Sequence, residues 1–371
     1  MPFSDFVGNP ATTHRLREML ARDRFPHAVI LSGMRGSGKY TLALMLARTM
    51  NCLERGFVTG AATDGLPDFC GRCSNCTRIA QSEDLETRFT EAVEARENLR
   101  DADKKETRLF VQTHPDVLII PPDPPQLLIK VDQVRHVINT IYYRPGEARE
   151  RVYIFTASAF MKEAANSLLK VLEEPPEFAT IFLLTENPGE LLPTIRSRSM
   201  TFNLGAVDKA DLENRLATLR PDWKAPQRAV VARLSEGAIG RALSFDLDSY
   251  AAARGHALIV LKSALGGGDH TELFKVTESY RSGAEGRQKI DGLLRTFYSL
   301  MEDLMFLQSG APQLVRNTDI LGELKKLSGA ADFAWLQRAA EGLGEIERGL
   351  RRNLLRSLSL DAFATALERV S

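Results

Sequence analysis

Short apolar runs alternate with segments of helical periodicity over the first half of the chain. Four runs predict buried strands, at residues 28–31, 117–120, 152–155 and 180–184. The segments between them predict helices, which include residues 131–142 and 162–172. Pro175 and Pro176 end the second of these helices, because proline lacks the amide donor and clashes with the preceding turn. Strands that alternate with helices predict a parallel α/β sheet, which ends near Leu204.

The pattern changes beyond Ala206, where helical segments replace the apolar runs. The predicted helices are Lys209–Leu219, Ala225–Leu234, Ile239–Leu247 and several more after Tyr250. An apolar stripe at three- and four-residue steps runs through residues 290–307, and we expect it to form the core of a bundle, with an oligomer seam as the alternative for part of it. The chain therefore divides into an α/β domain at 1–204, a small helical domain at 205–250 and an all-α domain at 251–371.

Composition and charge narrow the class of protein. The chain has 371 residues, more than one hydrophobic core usually supports, so we expect two or three domains. Its 44% hydrophobic and 26% charged residues are ordinary for a globular protein. The 48 basic and 48 acidic residues cancel, so no global field draws the chain to nucleic acid or to an anionic membrane. A role in nucleic-acid binding has to be local or shared with partners.

Targeting signals and long apolar segments are absent from the sequence. No run of about 18 apolar residues occurs, and Met1 is not followed by a basic and then apolar leader. We therefore expect a cytoplasmic protein without a membrane partner. Residues 82–108 are dense in charge and predict a solvated helix or a mobile insertion outside the core.

A glycine-rich loop lies between the first predicted strand and a helix, and it comprises Gly33, Gly36, Ser37, Gly38 and Lys39. Glycines let backbone amides converge on phosphate oxygens, the start of the helix adds positive potential, and the lysine reaches the outer phosphates. The alternative is a glycine turn that only caps a helix. The spacing, the lysine and the flanking elements predict a phosphate-binding loop, and whether ATP or ADP occupies it stays open.

The residues after Lys39 depart from the pattern of such loops. A serine or threonine should follow the lysine and offer its hydroxyl to Mg²⁺, but this chain has Tyr40 and then Thr41. A phenol is too bulky to substitute readily, and Thr41 would serve only through a change of register. The sequence therefore argues against a bound Mg²⁺.

The acidic pair that a hydrolytic site needs is also missing. One carboxylate should complete the metal shell and another should orient the attacking water, both at the end of a later strand. The strand at 152–155 instead runs into Thr156 and Ala157, and Glu163 and Glu173 belong to the following helix. We expect little or no ATPase activity from the chain itself.

Four cysteines predict a metal site. Cys52 lies just beyond the helix that follows the loop, and Cys70, Cys73 and Cys76 come later with two residues between each. Four thiolates with this spacing can close a tetrahedral Zn²⁺ shell and leave no open position, which makes the site structural rather than catalytic. Unliganded thiols and an iron–sulfur centre are the alternatives. Disulfides are disfavoured in a reducing compartment.

Several further motifs point to one family. They lie at residues 6–9, 27–28, 114–116, 129–135, 165–176 and 193–199. The runs Asn-x-Leu-Leu-Lys-x-Leu-Glu-Glu-Pro-Pro and Ile-Arg-Ser-Arg are specific to the group. With the loop and the cysteines, the chain resembles, over nearly its whole length, the clamp-loader members of the AAA+ ATPases, the gamma/tau and delta-prime subunits of bacterial DNA polymerase III.

The resemblance implies a place in a ring of subunits. Its partners would be gamma/tau and delta subunits, and the ring would use ATP to open a sliding clamp and place it on primed DNA. The domain at 205–250 would be a lid, and the domain at 251–371, with the stretch from Arg352, a collar that closes the ring. The implied location is the replisome at the nucleoid, within a holoenzyme that is a DNA-directed DNA polymerase.

The resemblance also implies roles for three residues. Arg198, in a Ser-Arg-Ser version of the family's Ser-Arg-Cys motif, would be an arginine finger that reaches a neighbour's ATP and stabilises the charge of phosphoryl transfer. Thr185 would sense nucleotide from the end of a strand, and Arg241 would be the lid arginine. The alternatives are a surface ion pair for Arg198 and capping roles for the other two.

The missing acidic pair favours the delta-prime type, because gamma/tau subunits keep that pair as their catalytic centre. Our hypothesis is a non-hydrolysing ring member that gives Arg198 to an adjacent ATPase subunit. An active gamma/tau-type ATPase is the alternative. A zinc module that binds nucleic acid is a third hypothesis, but zero net charge and few aromatic residues near the cysteines argue against it.

Overall fold

The computed structural model describes residues 2–54, 64–266, 270–280, 284–351 and 356–368. The chain forms two compact units, Met1–Leu212 with Gly237–Arg241, and Glu213–Glu236 with Ala242–Ser371. The division into domains at 1–204, 205–250 and 251–371 stays a prediction. Within the described residues, no helix is both long and apolar enough to cross a membrane.

The first unit is built on a six-stranded sheet. Its strands are β1 Ala28–Ser32, β2 Val111–His114, β3 Val117–Ile120, β4 Arg151–Phe155, β5 Ala179–Thr185 and β6 Met200–Asn203, in the order β2-β3-β4-β5-β1-β6. All neighbours are parallel except β2 and β3. The four predicted strands, β1, β3, β4 and β5, pair in parallel as expected. The sheet is mixed because β2, which the sequence did not predict, joins it antiparallel. Pro115 and Asp116 form the short connection between β2 and β3, which suits only antiparallel strands.

Helices flank the sheet in the first unit and make up most of the second unit. Those up to Arg196 are α1 Pro10–Ala21, α2 Lys39–Asn51, α3 Ser74–Ala80, α4 Leu85–Glu97, α5 Asp101–Glu106, α6 Val131–Ile141, α7 Lys162–Glu173 and α8 Pro193–Arg196. The later helices are α9 Lys209–Leu219, α10 Ala225–Leu234, α11 Ile239–Leu243, α12 Leu247–Ala264, α13 His270–Glu278, α14 Ala284–Gln308, α15 Leu321–Ala330, α16 Phe333–Arg351 and α17 Arg356–Leu367.

Apolar layers cover both faces of the sheet. Along β1, Val29 and Leu31 pack into one cluster with residues of α2, such as Leu42. Ile30 packs into the second cluster with residues of α6 and α7. A strand covered on both faces needs apolar residues at every position, which explains the continuous apolar runs of the sequence. The predicted α/β fold with a phosphate loop after the first strand is confirmed.

The predicted helices are largely confirmed, with one correction. The helix expected at Ile239–Leu247 ends at Leu243. Asp246 ends the pattern, because its side chain accepts a hydrogen bond from the amide of Ser249 at 2.9 Å and so caps the start of α12. A short polar capping residue inside an apolar-periodic stretch was the signal that the sequence interpretation missed.

The charged segment at 82–108 is helical, and one of its residues anchors it. It forms α4 and α5, and most of its side chains are exposed. Arg96 is buried and its Nη1 lies 2.8 Å from a carboxylate oxygen of Asp123, beside which Lys130 lies at 3.2 Å. The prediction of a solvated helix is confirmed for most of the segment, whereas Arg96 attaches it to the loop before α6.

The second unit is a helical bundle. Its apolar stripe comprises Ile290, Leu293, Leu294, Phe297, Leu300, Met301 and Leu304, all buried in one cluster. The bundle-core interpretation of this stripe is therefore confirmed. The stretch that resembles a collar begins at Arg352, and residues 352–355 lie outside the described residues, so that the described part of it is α17.

Candidate functional site

The glycine-rich loop begins where β1 ends and leads into α2. Gly36 and Gly38 have φ of 81° and 91°, a backbone region that other residues rarely adopt. A Cβ on Gly36 would also lie 2.7 Å from the backbone nitrogen of Arg241. The loop therefore has glycine where its conformation and a close backbone approach require it. It leads directly into α2, and the first amides of a helix have no partner within the helix.

Lys39 is the first residue of α2, and its side chain folds back over the loop. Its Nζ donates hydrogen bonds to the carbonyl oxygens of Gly33 and Met34, at 2.5 and 2.8 Å. Burial lowers the pKa of Lys39, and the charge of Glu186 partly opposes this shift. The ammonium group therefore lies over the loop, where a phosphate would need it.

Ser37 supplies a second observation that fits a phosphate. Its side chain is buried, and its Oγ has no hydrogen-bond partner among the described residues. A buried hydroxyl without a partner is costly unless a ligand or water satisfies it. The donors present, which are Ser37, Lys39 and the loop amides, would hold the phosphates of ATP or ADP.

Tyr40 is used for another contact. Its side chain packs against the apolar cluster on the α2 face of the sheet. Its hydroxyl donates a hydrogen bond to the carbonyl oxygen of Ser82 at 2.6 Å, and burial raises its pKa. Thr41 follows it on α2 and is half-buried. The hydroxyl of Tyr40 is therefore committed away from the place where Mg²⁺ would need a ligand, so that the donor set at this position does not fit the metal.

Thr185 and Arg241 both lie beside the loop. Thr185 ends β5 opposite Ser32, and its carbonyl oxygen accepts a hydrogen bond from the amide of Gly33 at 3.2 Å. Its hydroxyl takes part in a local turn with Asn187. Arg241 follows Gly240, whose amide donates to the carbonyl oxygen of Gly36 at 2.8 Å. The structure thus brings together the loop and the two residues that the sequence placed near nucleotide.

The end of β4 lies beside β5 at the same edge of the sheet. Thr156 and Ala157 occupy the positions where a hydrolytic site would hold its carboxylates. The next residue, Ser158, donates a hydrogen bond from its Oγ to the carboxylate of Glu190 at 2.5 Å. Glu190 was missed by the sequence interpretation, since it follows β5 in a short helical turn and belongs to no motif.

The four cysteines converge on one point. The Sγ atoms of Cys52, Cys70, Cys73 and Cys76 all lie within 4.8 Å of one another. Zn–S bonds of about 2.3 Å in a tetrahedron place sulfurs about 3.8 Å apart, so the cluster has the size of a zinc site. The amide of Cys70 donates to the Sγ of Cys52 and the amide of Cys73 to that of Cys70, each at 3.3 Å. Such hydrogen bonds stabilise thiolate ligands, and the residues present fit Zn²⁺.

A buried polar network joins the cysteine module, by which we mean Cys52 and residues 70–83, to the sheet. Asn75 donates to the carbonyl oxygen of Asn51 at 3.0 Å, and its Oδ1 lies 3.1 Å from the Nε2 of His114. The amide of Asp116 donates to the Nδ1 of His114, which assigns the proton to Nε2. The Asp116 carboxylate accepts hydrogen bonds from the amides of residues 146–148. The His-Pro-Asp motif of the sequence is therefore a structural junction.

Arg198 lies on the surface of the first unit, just after α8. Its Nη2 is 2.8 Å from the Oε1 of Glu173, and its Nη1 donates to the carbonyl oxygen of Thr194 at 3.2 Å. The side chain is 36% exposed. Arg198 is therefore held in one orientation while it stays accessible, and Glu173 is a contact that the sequence interpretation did not anticipate.

A glycine-rich loop that leads from the first strand of a helix-flanked sheet into a helix with a lysine at its start defines the P-loop class of α/β folds, and the first unit has this fold. A family model described as "DNA polymerase III, delta subunit" matches residues 8–208, more than half of the chain. The chain belongs to this family.

Individual relatives carry related names. The chain is 29% identical over 268 residues to DNA polymerase III subunit tau of Escherichia coli (strain K12), with 71% of this chain and 35% of that protein covered. It is 30% identical over 208 residues to DNA polymerase III subunit delta' of Bacillus subtilis (strain 168), with 56% and 50% covered. The match therefore spans about a third to a half of the length of these relatives.

Among solved structures, the chain is similar to a DNA polymerase III gamma subunit-related protein from Thermotoga maritima. The identity is 17%, the TM-score is 0.40, and 96% of this chain and 98% of that chain are covered.

Proposed function

We propose that the chain is a delta-prime-type subunit of a DNA polymerase III clamp loader that does not hydrolyse ATP. The observation that carries this proposal is the end of β4, where Thr156 and Ala157 take the place of the two carboxylates. Without these carboxylates, the metal lacks a protein ligand and the attacking water lacks a residue that orients it. The charge that develops during hydrolysis is then poorly stabilised.

The second part of the proposal concerns Arg198. An arginine finger acts in a neighbouring subunit's site, so it has to be accessible and oriented outward from its own sheet. The 36% exposure of Arg198 and its two tethers support this role. A guanidinium that reaches the γ-phosphate of a partner stabilises the charge that spreads over it during transfer.

The proposed partners follow from the family. Gamma/tau and delta subunits would complete a ring that loads a sliding clamp onto primed DNA, and the complex would work in the cytoplasm at the replisome. The cysteine module would hold one structural Zn²⁺ and stabilise the segment after α2. The phosphate loop would bind ATP or ADP without cleaving it.

An active gamma/tau-type ATPase is the second candidate. The loop from Gly33 to Lys39 favours it, because the phosphate-binding donors are in place. The two candidates differ in what happens to the nucleotide that Lys39 binds. It stays uncleaved in the first candidate and is hydrolysed as a substrate in the second.

Steady-state ATP hydrolysis by the purified chain separates them. We expect no turnover above that of the Lys39→Ala variant, which serves as the background control because it removes the phosphate-binding ammonium. Turnover at about 1 s⁻¹ or more, typical of a working enzyme, that the Lys39→Ala substitution abolishes would show an active ATPase and overturn the proposal.

A further inference from the structure

Arg198 forms its ion pair with Glu173, whose carboxylate lies at the C-terminal end of a helix, where negative charge is unfavourable. Glu173 is the last residue of α7, and Glu174 follows it as the cap. The C-terminal end of a helix carries partial negative charge, so an acidic residue there is disfavoured unless a cation compensates it. Arg198 supplies that cation from a different element, at 2.8 Å.

The backbone around Arg198 is fixed independently of this pair. The amide of Arg198 donates to the carbonyl oxygen of Ile195, which is fully buried. The hydroxyls of Ser197 and Ser199 bond to carbonyl oxygens within the same turn, at 3.1 and 2.9 Å. These bonds do not fix the long side chain of Arg198, and ordering that side chain costs conformational entropy. Glu173 and the Thr194 carbonyl are the groups that order it.

We infer that Glu173 is a positioning residue for Arg198: it holds the guanidinium in the orientation from which Arg198 acts on the nucleotide of a neighbouring subunit. This inference rests on the proposed function of Arg198. A guanidinium has five N–H donors in a rigid fork. Bonds to Glu173 and Thr194 engage Nη2 and Nη1, so further N–H groups stay available to a phosphate oxygen while Glu173 keeps its hold.

Positioning predicts a specific kinetic effect. A misplaced catalytic group lowers the rate of the chemical step more than substrate binding, because its interaction is made mainly in the transition state. In the reconstituted complex with its ATPase subunits, Glu173→Gln should lower the kcat of the hydrolysis that depends on Arg198 by roughly tenfold, with little change in the KM for ATP. Glu173→Asp, which keeps the charge on a shorter side chain, should recover part of the loss.

The matched control is Glu174→Gln. Glu174 is an exposed acid at the same helix end, and the structure gives its side chain no ion pair with Arg198. This variant should behave like the unchanged chain. The Tm of the isolated subunit should also stay unchanged in both variants, because exposed ion pairs contribute little to folding.

A double-mutant cycle separates positioning from other roles. If Glu173 acts only through Arg198, adding Glu173→Gln to Arg198→Ala causes no further loss. An additive loss, an unchanged kcat in Glu173→Gln, or a raised kcat would each overturn the inference, the last because the pair would then restrain the finger. If Arg198→Ala itself leaves hydrolysis unchanged, the proposed function of Arg198 fails instead.

Discussion

Tyr40 shows how one substitution can change the use of a position. In a hydrolytic loop the residue after the lysine offers a hydroxyl to Mg²⁺. Here the phenol lies in an apolar cluster, and its hydroxyl ties the start of α2 to the carbonyl of Ser82. The Tyr40 side chain, which is unsuited to bind Mg²⁺, therefore packs and bonds between α2 and the end of the cysteine module.

Replacing Tyr40 by phenylalanine tests this contact. The Tyr40→Phe variant keeps the ring and loses the 2.6 Å hydrogen bond, which leaves the carbonyl of Ser82 without this donor. We expect the free energy of unfolding to fall by about 1 kcal/mol, measured by denaturant titration. Tyr142→Phe is the control, because the Tyr142 ring is 52% exposed and its bond to the Glu174 carbonyl is longer, at 3.3 Å. An equal effect of both variants would show that the Tyr40 hydroxyl contributes nothing particular.

The sequence predicted that position 40 has lost the hydroxyl that binds Mg²⁺, but it did not predict the contact that Tyr40 makes instead. The missing hydroxyl is visible beside Lys39, because the loop motif fixes which residue should stand there. The partner Ser82 lies 42 residues away, across the cysteine module, and no local pattern links the two. Glu173 was visible too, but only as a helical residue, since its contact with Arg198 depends on how α7 and α8 pack.

At the scale of elements, the cysteine module is joined to α2 by several contacts. Cys52 caps the end of α2, and Arg48 of that helix pairs with Glu83 at 2.7 Å. Asn75 of α3 bonds to the carbonyl of Asn51 at the last turn. A metal that holds the four thiolates would therefore stabilise the far end of the helix that the phosphate loop begins.

Metal analysis and one substitution test the module. The purified chain should contain about one Zn²⁺, since four cysteines fill one tetrahedral shell. Cys73→Ser should lower both the zinc content and the Tm, because binding energy of the metal is folding energy of the segment. The control is Ser74→Ala, which changes the exposed neighbouring residue. A chain that folds fully without metal would contradict the assignment.

The helices and strands differed in how well they could be predicted from the sequence. Strands β3, β4 and β5 were predicted almost to the residue, because burial on both faces demands continuous apolar runs. β2 and β6 were missed because only part of each four-residue strand is buried: β2 is buried at its two ends, and the burial of β6 is confined to Phe202. Short edge strands with exposed positions carry little periodic signal. The buried Arg96 was missed because its partner Asp123 belongs to a different segment.

For the whole molecule, the glycine-rich loop and the proposed finger, Arg198, would have different roles. The loop has phosphate-binding donors, the end of β4 has Thr156 and Ala157 in place of the carboxylates that hydrolysis needs, and Arg198 is accessible and tethered. We interpret the chain as a ring member that contributes to another subunit's chemistry. Its contribution to the complex would then appear in the ATPase activity of the neighbouring subunit.

The DNA-stimulated ATPase of the reconstituted complex tests this claim most directly. An arginine finger is worth about 10³ to 10⁵ in kcat at the site it serves, so Arg198→Ala should remove that site's share of hydrolysis while the subunit still folds and assembles. Arg196→Ala, at an exposed arginine of the same motif, should retain it. If the complex with Arg198→Ala hydrolyses ATP as fast as the unchanged complex, the chain does not act through this arginine and the account is contradicted.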